Sequence, residues 1–114
     1  MRKQYYFRQS DRGLLAWDVD RLVELSRDLP HIQMPPNAVE PDFDWSDDLP
    51  GHDQLINEAD LSFPIILAAD GRVMDGRHRI AKAIREGRAT IDAVQFERDP
   101  EPDYVARDPD DLPY

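Results

Sequence analysis

The chain has 114 residues, 40% hydrophobic and 33% charged, a length and a mixture that suit one folded domain with one core. Its 24 acidic and 14 basic residues give a net charge of −10, which argues against a protein that coats duplex DNA or an anionic membrane. It contains no cysteine, which excludes disulfides, thiolate metal sites and cysteine nucleophiles.

The first part of the chain predicts a strand followed by a helix. The aromatic run at residues 5–8, YYFR, is typical of a strand. Asp18 is a suitable N-cap, and Trp17 before it has the spacing of a hydrophobic staple with Leu22. Pro30 is expected to end this helix. Its apolar stripe consists of Val19, Leu22, Val23 and Leu29.

The next part of the chain predicts little regular structure. Residues 31–39 contain a Pro-Pro pair, so they can form only a short strand or an extended edge. Residues 40–49 are acidic and rich in turn formers, which predicts a loop. A short helix is expected at residues 53–59. Its inward side chains would be Leu55, Ile56 and Ala59.

A hairpin is predicted in the centre of the chain. Residues 63–68, FPIILA, form a continuous apolar run, which indicates a strand covered on both faces. The Asp-Gly pair at residues 70–71 is a strong two-residue turn signal, and residues 73–75 would form the returning strand.

A helix and a last strand follow the hairpin. Gly76 precedes a helix predicted over residues 77–86, which Gly87 would close at its C-terminal end. Residues 90–96 alternate well enough for a strand. The expected fold is α+β: a small mixed sheet flanked by helices in a single domain.

Charge changes sign along the chain. Residues 35–60 contain eight acids and no Lys or Arg, whereas residues 72–88 contain six basic and two acidic residues, a local +4. Residues 97–114 carry seven acids, two arginines and four prolines without periodicity. We therefore place one domain at residues 1–98 and an extended or disordered acidic, Pro-rich tail at residues 99–114.

No stretch of the sequence predicts a membrane segment. No apolar run approaches the roughly 20 residues of a membrane span, and the opening MRKQYYFRQS has no apolar stretch after its basic residues. We expect a cytoplasmic protein that does not contact membranes and does not bind duplex DNA on its own.

The chemistry of the basic segment is concentrated at the start of the predicted helix. The first turn of a helix carries the positive end of its dipole, and Gly76 allows close approach to the backbone. Arg77 and Arg79 add two planar donor groups, so the sequence predicts a phosphate or carboxylate site there. Asp75 could hold a metal ion or orient a hydroxyl, and His78 could bind phosphate or transfer a proton.

A purely structural interpretation of the same residues stays open. Asp75 could cap the helix, since Asp is a favoured residue at helix starts. The arginines could pair with the protein's own carboxylates, with the acidic segments folding back over the basic one.

The hairpin and helix resemble the phosphate-binding signature of the ParB/sulfiredoxin superfamily. The resemblance rests on FPIIL at residues 63–67 and DGRVMDGRHRIAKA at residues 70–83, and it extends over residues 63–96. In that superfamily a hairpin leads into a Gly-x-x-Arg motif at the start of a helix. Gly76 and Arg79 occupy the two motif positions.

The resemblance implies a nucleotide-related function. Sulfiredoxins carry a catalytic cysteine where this chain has Arg77, so sulfinic-acid reduction is excluded. The chain lacks the length for the DNA-reading and dimerisation segments of partition proteins. Nucleotide hydrolases, nucleases and an ADP-dependent serine kinase remain as precedents, several with an Asp-Gly-His-His-Arg-like motif. The kinases' additional acid cannot be located by motif, and Glu40 and Asp42 are the candidates.

Two functions therefore stay open. The first is binding of a nucleotide (ADP, ATP or CTP) or another phosphorylated small molecule, with Mg²⁺, through Gly76, Arg77, His78 and Arg79. Phosphoryl transfer or hydrolysis would then use Asp75 and His78, with Asp75 as the metal ligand. The alternative is a non-catalytic protein-interaction module, an inhibitor or immunity-like protein, that binds its partner through the acidic segments.

Overall fold

Seven strands and three α-helices make up the part of the chain that a computed structural model describes, residues 4–43, 53–106, 108 and 112. The strands are β1 (Tyr5–Ser10), β2 (Gly13–Asp18), β3 (Ile32–Met34), β4 (Ile65–Leu67), β5 (Val73–Asp75), β6 (Ile91–Gln95) and β7 (Tyr104–Ala106). The helices are α1 (Val19–Ser26), α2 (Asp53–Glu58) and α3 (Arg77–Arg85), and a short 3-10 helix spans Pro36–Ala38. The α+β prediction is confirmed.

The strands form two sheets. The first is antiparallel with the order β1-β2-β7, and the second has the order β3-β6-β4-β5. In the second sheet β4 and β6 are parallel while the other neighbours are antiparallel, so this is the mixed sheet that the sequence predicted. As expected, the strand within residues 31–39 lies at its edge.

Helix α1 begins as its cap and staple predict. The Asp18 carboxylate accepts a hydrogen bond from the Asp20 N–H at 2.9 Å, and Trp17 and Leu22 are buried in the same cluster. The helix ends at Ser26, four residues before Pro30. The predicted stripe is only partly correct, because Val23 lies one residue and about 100° beyond buried Leu22 and is exposed.

The hydrophobic core lies on both faces of the four-stranded sheet. On one face, Ile65 and Leu67 of β4 pack with Ile80 and Ala83 of α3. On the other face, Ile66 packs with residues of α1 and β2. Successive strand residues point to opposite faces, so β4 is covered on both, as predicted. The predicted run of residues 63–68 is only partly correct, because the strand begins at Ile65 and Phe63 is 61% exposed.

The remaining central elements follow the sequence with one correction. The Asp-Gly pair closes the β4–β5 hairpin, with Gly71 in a left-handed conformation at φ 91°. In α2, Ile56 is fully buried as predicted and Ala59 beyond its end is half-buried, but Leu55 is 52% exposed, because a helix this short turns only one narrow face to the core. Of the predicted loop at 40–49, residues 44–49 lie outside the described part.

The segment that follows β6 packs against the domain. Strand β7 pairs with β2, and the Asp103 N–H donates to the Ala16 carbonyl at 2.9 Å. The predicted tail at 99–114 therefore contributes a strand to the first sheet, while its residues 107, 109–111, 113 and 114 lie outside the described part. Among the helices that the structure describes, none has the length and apolar character that crossing a membrane requires.

Candidate anion site at the start of helix α3

A glycine turn joins β5 to α3 at the predicted site. Gly76 has φ 109°, in the left-handed region, and accepts the first helical hydrogen bond, from the Ile80 N–H at 3.1 Å. A Cβ atom at this position would lie 2.6 Å from Cγ2 and 2.9 Å from Cβ of Ile65. Glycine is thus required both by the backbone conformation and by the close contact with β4.

Arg79 is fixed at this turn by two hydrogen bonds. Its Nη1 donates to the Pro64 carbonyl and its Nη2 to the Asp75 carboxylate, both at 2.9 Å. The side chain is 15% exposed. Arg79 therefore links the residue before β4, the end of β5 and the first turn of α3.

Arg77 contacts a different part of the molecule. Its Nη2 lies 3.1 and 3.2 Å from the two carboxylate oxygens of Glu40, and its guanidinium lies over the Phe43 ring, 5.3 Å from the centroid. The Arg77 side chain is 38% exposed. The two arginines of the motif thus flank the turn with separate partners instead of converging on one point.

The two predicted catalytic residues lie beside this turn. Asp75 is half-buried at the end of β5 and is oriented by Arg79. The structure therefore favours an ion pair for Asp75, and the residue that caps α3 is Gly76. His78 is half-buried in the first turn of α3 and has an interaction within the protein.

A magnesium ion would find few ligands at this turn. Within the described ranges there is no group of three or more His, Cys, Asp and Glu side chains that could hold a metal. Mg²⁺ is commonly held by one or two carboxylates together with substrate phosphates. Asp75 could serve in that way only if its contact with Arg79 were rearranged and a bound nucleotide supplied the other ligands.

The cations of the basic segment 72–88 have partners within the protein, and five of the six are paired with carboxylates. Lys82 donates to the carbonyls of Asn57 and Ala59 at 2.9 and 2.8 Å. Between described residues, the ion pairs of the segment are Arg72–Asp70, Arg77–Glu40, Arg79–Asp75, Arg85–Asp53 and Arg88–Glu86. Part of the acidic segment 35–60 thus folds over the basic one, as the structural interpretation of the charges predicted.

A cleft opens beside Glu40 and Phe43, the two residues that contact Arg77. It has a volume of about 540 Å³ and lies between residues 38–43 and the β4–β5 turn. Its lining includes Glu40, Phe43, Gly71 and Arg72. The sequence indicates Glu40 only as one candidate acid and does not indicate Phe43. Nothing in the local sequence shows that the residues after the 3-10 helix pack against the start of α3.

A second cleft of about 630 Å³ lies farther along α3, beside Lys82 and Arg88. It includes Asp60, whose pKa is lowered chiefly by hydrogen bonds from the hydroxyl and the backbone N–H of Ser62. Lys82 donates there to two backbone carbonyls, and the carboxylates of Glu58 and Asp60 line the same cleft.

No significant match is found when the chain is compared with protein-family models, with curated proteins and with solved structures. The resemblance of residues 63–96 to the ParB/sulfiredoxin superfamily therefore depends on the sequence motif alone. The geometry around Gly76 is the principal basis for any functional conclusion.

Proposed function

We propose that the protein binds a phosphorylated ligand, in particular a nucleotide, at the start of α3 through Gly76, Arg77, His78 and Arg79. The observation that carries the proposal is the left-handed turn at Gly76, which sets two guanidinium groups beside the positive end of a nine-residue helix. Helix N-termini and planar guanidinium groups are both well suited to bind phosphate.

The two arginines support the proposal in different ways. Arg77 is accessible, and a ligand phosphate could take the place of its carboxylate partner. Arg79 is fixed before any ligand arrives, which lowers the entropic cost of binding. A guanidinium has five N–H donors, and the hydrogen bonds of Arg79 within the described residues use two of them.

The ParB-type resemblance adds a proposed chemistry to the binding site. Asp75 would hold Mg²⁺ or orient an acceptor hydroxyl, and His78 would transfer a proton, with ADP, ATP or CTP as the nucleotide. Magnesium would neutralise phosphate charge when bound, which is its usual contribution to phosphoryl transfer. The protein's part would be to position the phosphates.

A thermal-shift experiment tests the binding proposal. Wild type should be stabilised by several degrees by ADP, ATP, CTP or pyrophosphate, each with and without Mg²⁺, at about 100 times the dissociation constant. Arg77→Ala should lose most of that shift. Arg88→Ala is the matched control, because Arg88 is an exposed arginine of the same basic segment that pairs with Glu86.

Two results would reject the proposal. One is the absence of a shift with any of these ligands in the wild-type protein. The other is an Arg77→Ala variant that responds to ligand as strongly as Arg88→Ala and the wild type.

A second function, binding of a basic protein partner, is favoured by the internal pairing of the cations in segment 72–88. With these cations paired inside the protein, no basic patch of this segment opposes the net charge of −10 that a partner meets. Exposed acids such as Glu97 and Glu101 are available for such a contact. A Glu97→Lys/Glu101→Lys variant should lose a partner that wild type retains at low salt, while its response to nucleotides stays unchanged.

A further inference from the structure

The Glu40 carboxylate occupies a pair of donors that is well suited to an anionic ligand. Its Oε2 accepts a hydrogen bond from the Val73 N–H at 2.8 Å and lies 3.1 Å from Nη2 of Arg77. Its Oε1 lies 3.2 Å from the same Nη2. A backbone N–H and a guanidinium that converge on one oxygen are also the donors by which proteins commonly bind phosphate.

Glu40 reaches these donors from an unfavourable backbone conformation. It has φ 44° and is the only residue other than glycine with a positive φ in the described ranges. Left-handed backbone is disfavoured for a residue with a long side chain. The Glu40 carbonyl also accepts from the Phe43 N–H at 2.9 Å, so the residue lies in a turn. The cost of its backbone conformation offsets part of what the carboxylate gains at Val73 and Arg77.

Each donor has a contact that does not involve the Glu40 carboxylate. Val73 belongs to β5, which is paired with β4 in the four-stranded sheet. The guanidinium of Arg77 rests on the Phe43 ring, 5.3 Å from its centroid, a contact that does not involve the carboxylate. If Glu40 moved away, both donors would keep their places.

Space for a ligand lies directly beside this carboxylate. The cleft of about 540 Å³ between residues 38–43 and the β4–β5 turn is lined by Glu40 and by Gly71. Apart from Gly71 and its two chain neighbours, no heavy atom lies within 4 Å of the position that a Cβ would take on Gly71. Arg72 stands at the same cleft with 54% of its side chain exposed.

We infer that the Val73 N–H and the Arg77 guanidinium form a phosphate-binding position that Glu40 occupies as a built-in competitor. A phosphate group of the ligand takes the place of the Glu40 carboxylate, and the rest of the ligand extends into the cleft. This inference rests on the proposed function and adds to it a donor, Val73, and a residue that limits affinity.

The size of the effect follows from how often Glu40 occupies the donors. If it does so for about nine-tenths of the time, the apparent affinity of the wild type is about one-tenth of the intrinsic value. Glu40→Gln removes the charge that holds the side chain on Arg77 but keeps an oxygen that can accept from Val73. Binding of pyrophosphate or ADP, measured by calorimetry, should become roughly tenfold tighter in this variant.

Asp42→Asn is the matched control. Asp42 lines the same cleft two residues away, so its replacement removes the same charge from the same neighbourhood without releasing either donor. Its effect should stay within about threefold, because Asp42 is exposed and solvent weakens the interaction of its charge with the ligand. Glu40→Asp provides a second variant if Glu40→Gln folds poorly. Aspartate suits the left-handed backbone better, and its shorter side chain reaches the two donors less well. The affinity for the ligand should increase by an intermediate factor.

The outcomes separate this inference from the proposed function. Equal affinities in wild type, Glu40→Gln and Asp42→Asn, with binding lost in Arg77→Ala, would reject the competitor and keep the phosphate site. Equal gains in Glu40→Gln and Asp42→Asn would also reject it, because they would reflect general charge only. No binding of either probe to wild type, Glu40→Gln or Glu40→Asp would reject the proposed function and the inference together.

Discussion

The guanidinium of Arg8 donates from Nη1 to the Asp99 carboxylate at 2.9 Å, joining two residues that are 91 positions apart in the chain. The other oxygen of Asp99 accepts from the Ala69 N–H at 2.8 Å. One carboxylate therefore connects strand β1 of the first sheet with the β4–β5 turn of the second. Neither side chain is freely solvated, with exposures of 19% for Arg8 and 27% for Asp99.

Replacing Asp99 by Asn should destabilise the fold by about 1–3 kcal/mol, because it breaks a charge-assisted hydrogen bond and leaves the Arg8 guanidinium without its counter-charge. The measurement is chemical denaturation of the variant and the wild type. Glu101→Gln is the control, since Glu101 is exposed two residues farther on and should change stability by less than about 0.5 kcal/mol. Equal stabilities of the two variants would show that the contact between the sheets contributes nothing.

Residues 99–106, which include Asp99, are part of the fold. Deleting residues 99–114 is therefore not a clean test of whether this segment binds a partner protein. The Trp17 indole donates to the Pro100 carbonyl at 2.8 Å, and the Asp18 N–H donates to the Asp103 carboxylate at the same distance. A truncated chain would lose these contacts together with β7. Loss of a partner after truncation would therefore report on folding as much as on binding, whereas charge changes at Glu97 and Glu101 keep the fold.

The glycine turn gives a second prediction. Gly76→Ala should be strongly destabilising, because the left-handed backbone costs about 1–3 kcal/mol for a residue with a Cβ and the added atom meets Ile65 at 2.6 Å. Gly71→Ala is the control: its φ is 91°, also left-handed, but nothing lies within 4 Å of the added atom.

The difference between these two variants isolates the contact with β4. Thermal denaturation should show a loss for Gly76→Ala that exceeds the loss for Gly71→Ala by at least about 1 kcal/mol. Similar losses would mean that Gly76 is needed only for its backbone angle, and that β4 can move away from the turn.

The sequence predicts the central unit of this fold well because its signals are local. The apolar run of β4, the turn at Asp70-Gly71 and the glycine before α3 each depend on residues within a few positions. These elements also contain the candidate residues from Asp75 to Arg79, so the position of the site at a strand–helix junction was predictable without knowledge of the tertiary fold.

The first sheet and the contact between Glu40 and Arg77 were not predictable, because both join residues that are far apart in the chain. Strand β7 has three residues in a proline-rich acidic segment and exists by pairing with β2, with paired residues 88 to 92 positions apart in the chain. Glu40 meets Arg77 across 37 positions. No periodicity or turn signal encodes such contacts, and charge alone indicated only that acidic and basic segments would meet.

The ion pair between Asp75 and Arg79 gives a third prediction. Each single replacement, Asp75→Asn or Arg79→Ala, should cost about 1–3 kcal/mol, because each leaves a partly buried partner unsatisfied. The double variant should lose less than the sum of the two, with a coupling of at least about 0.5 kcal/mol. Binding assays on Arg79→Ala must accordingly be made well below its melting temperature.

The exposed pair of Arg88 and Glu86 provides the control cycle. These side chains are 55% and 40% exposed. Arg88→Ala and Glu86→Gln should therefore be coupled by less than about 0.5 kcal/mol, in the lower part of the range of roughly 0.2–1 kcal/mol for exposed pairs. A coupling at Asp75 and Arg79 no larger than this would show that the pair does not hold the turn, and would leave Asp75 more available to a metal ion.

The fourth prediction concerns acid stability. The backbone N–H of Arg72 donates to the Asp70 carboxylate at 3.0 Å and is the main cause of a lowered pKa of Asp70, partly opposed by burial and reinforced by the Arg72 side chain. The pKa is thus lower in the folded than in the unfolded chain. The stabilisation from Asp70 is then fully present above the unfolded value of about 3.9 and is lost as the pH falls through the folded value.

The free energy of unfolding of wild type and of Asp70→Asn should be measured from neutral pH to about pH 2.5. The difference between the two, called the gap below, should close in acid. At neutral pH the gap should stay below about 1 kcal/mol, because the Asp70 side chain is 45% exposed and its charge is screened. Arg72→Gln removes the side-chain donor but keeps the backbone N–H, so most of the pH dependence should survive in that control. A gap that is the same at every pH would show that the turn stabilises Asp70 equally in its charged and neutral forms.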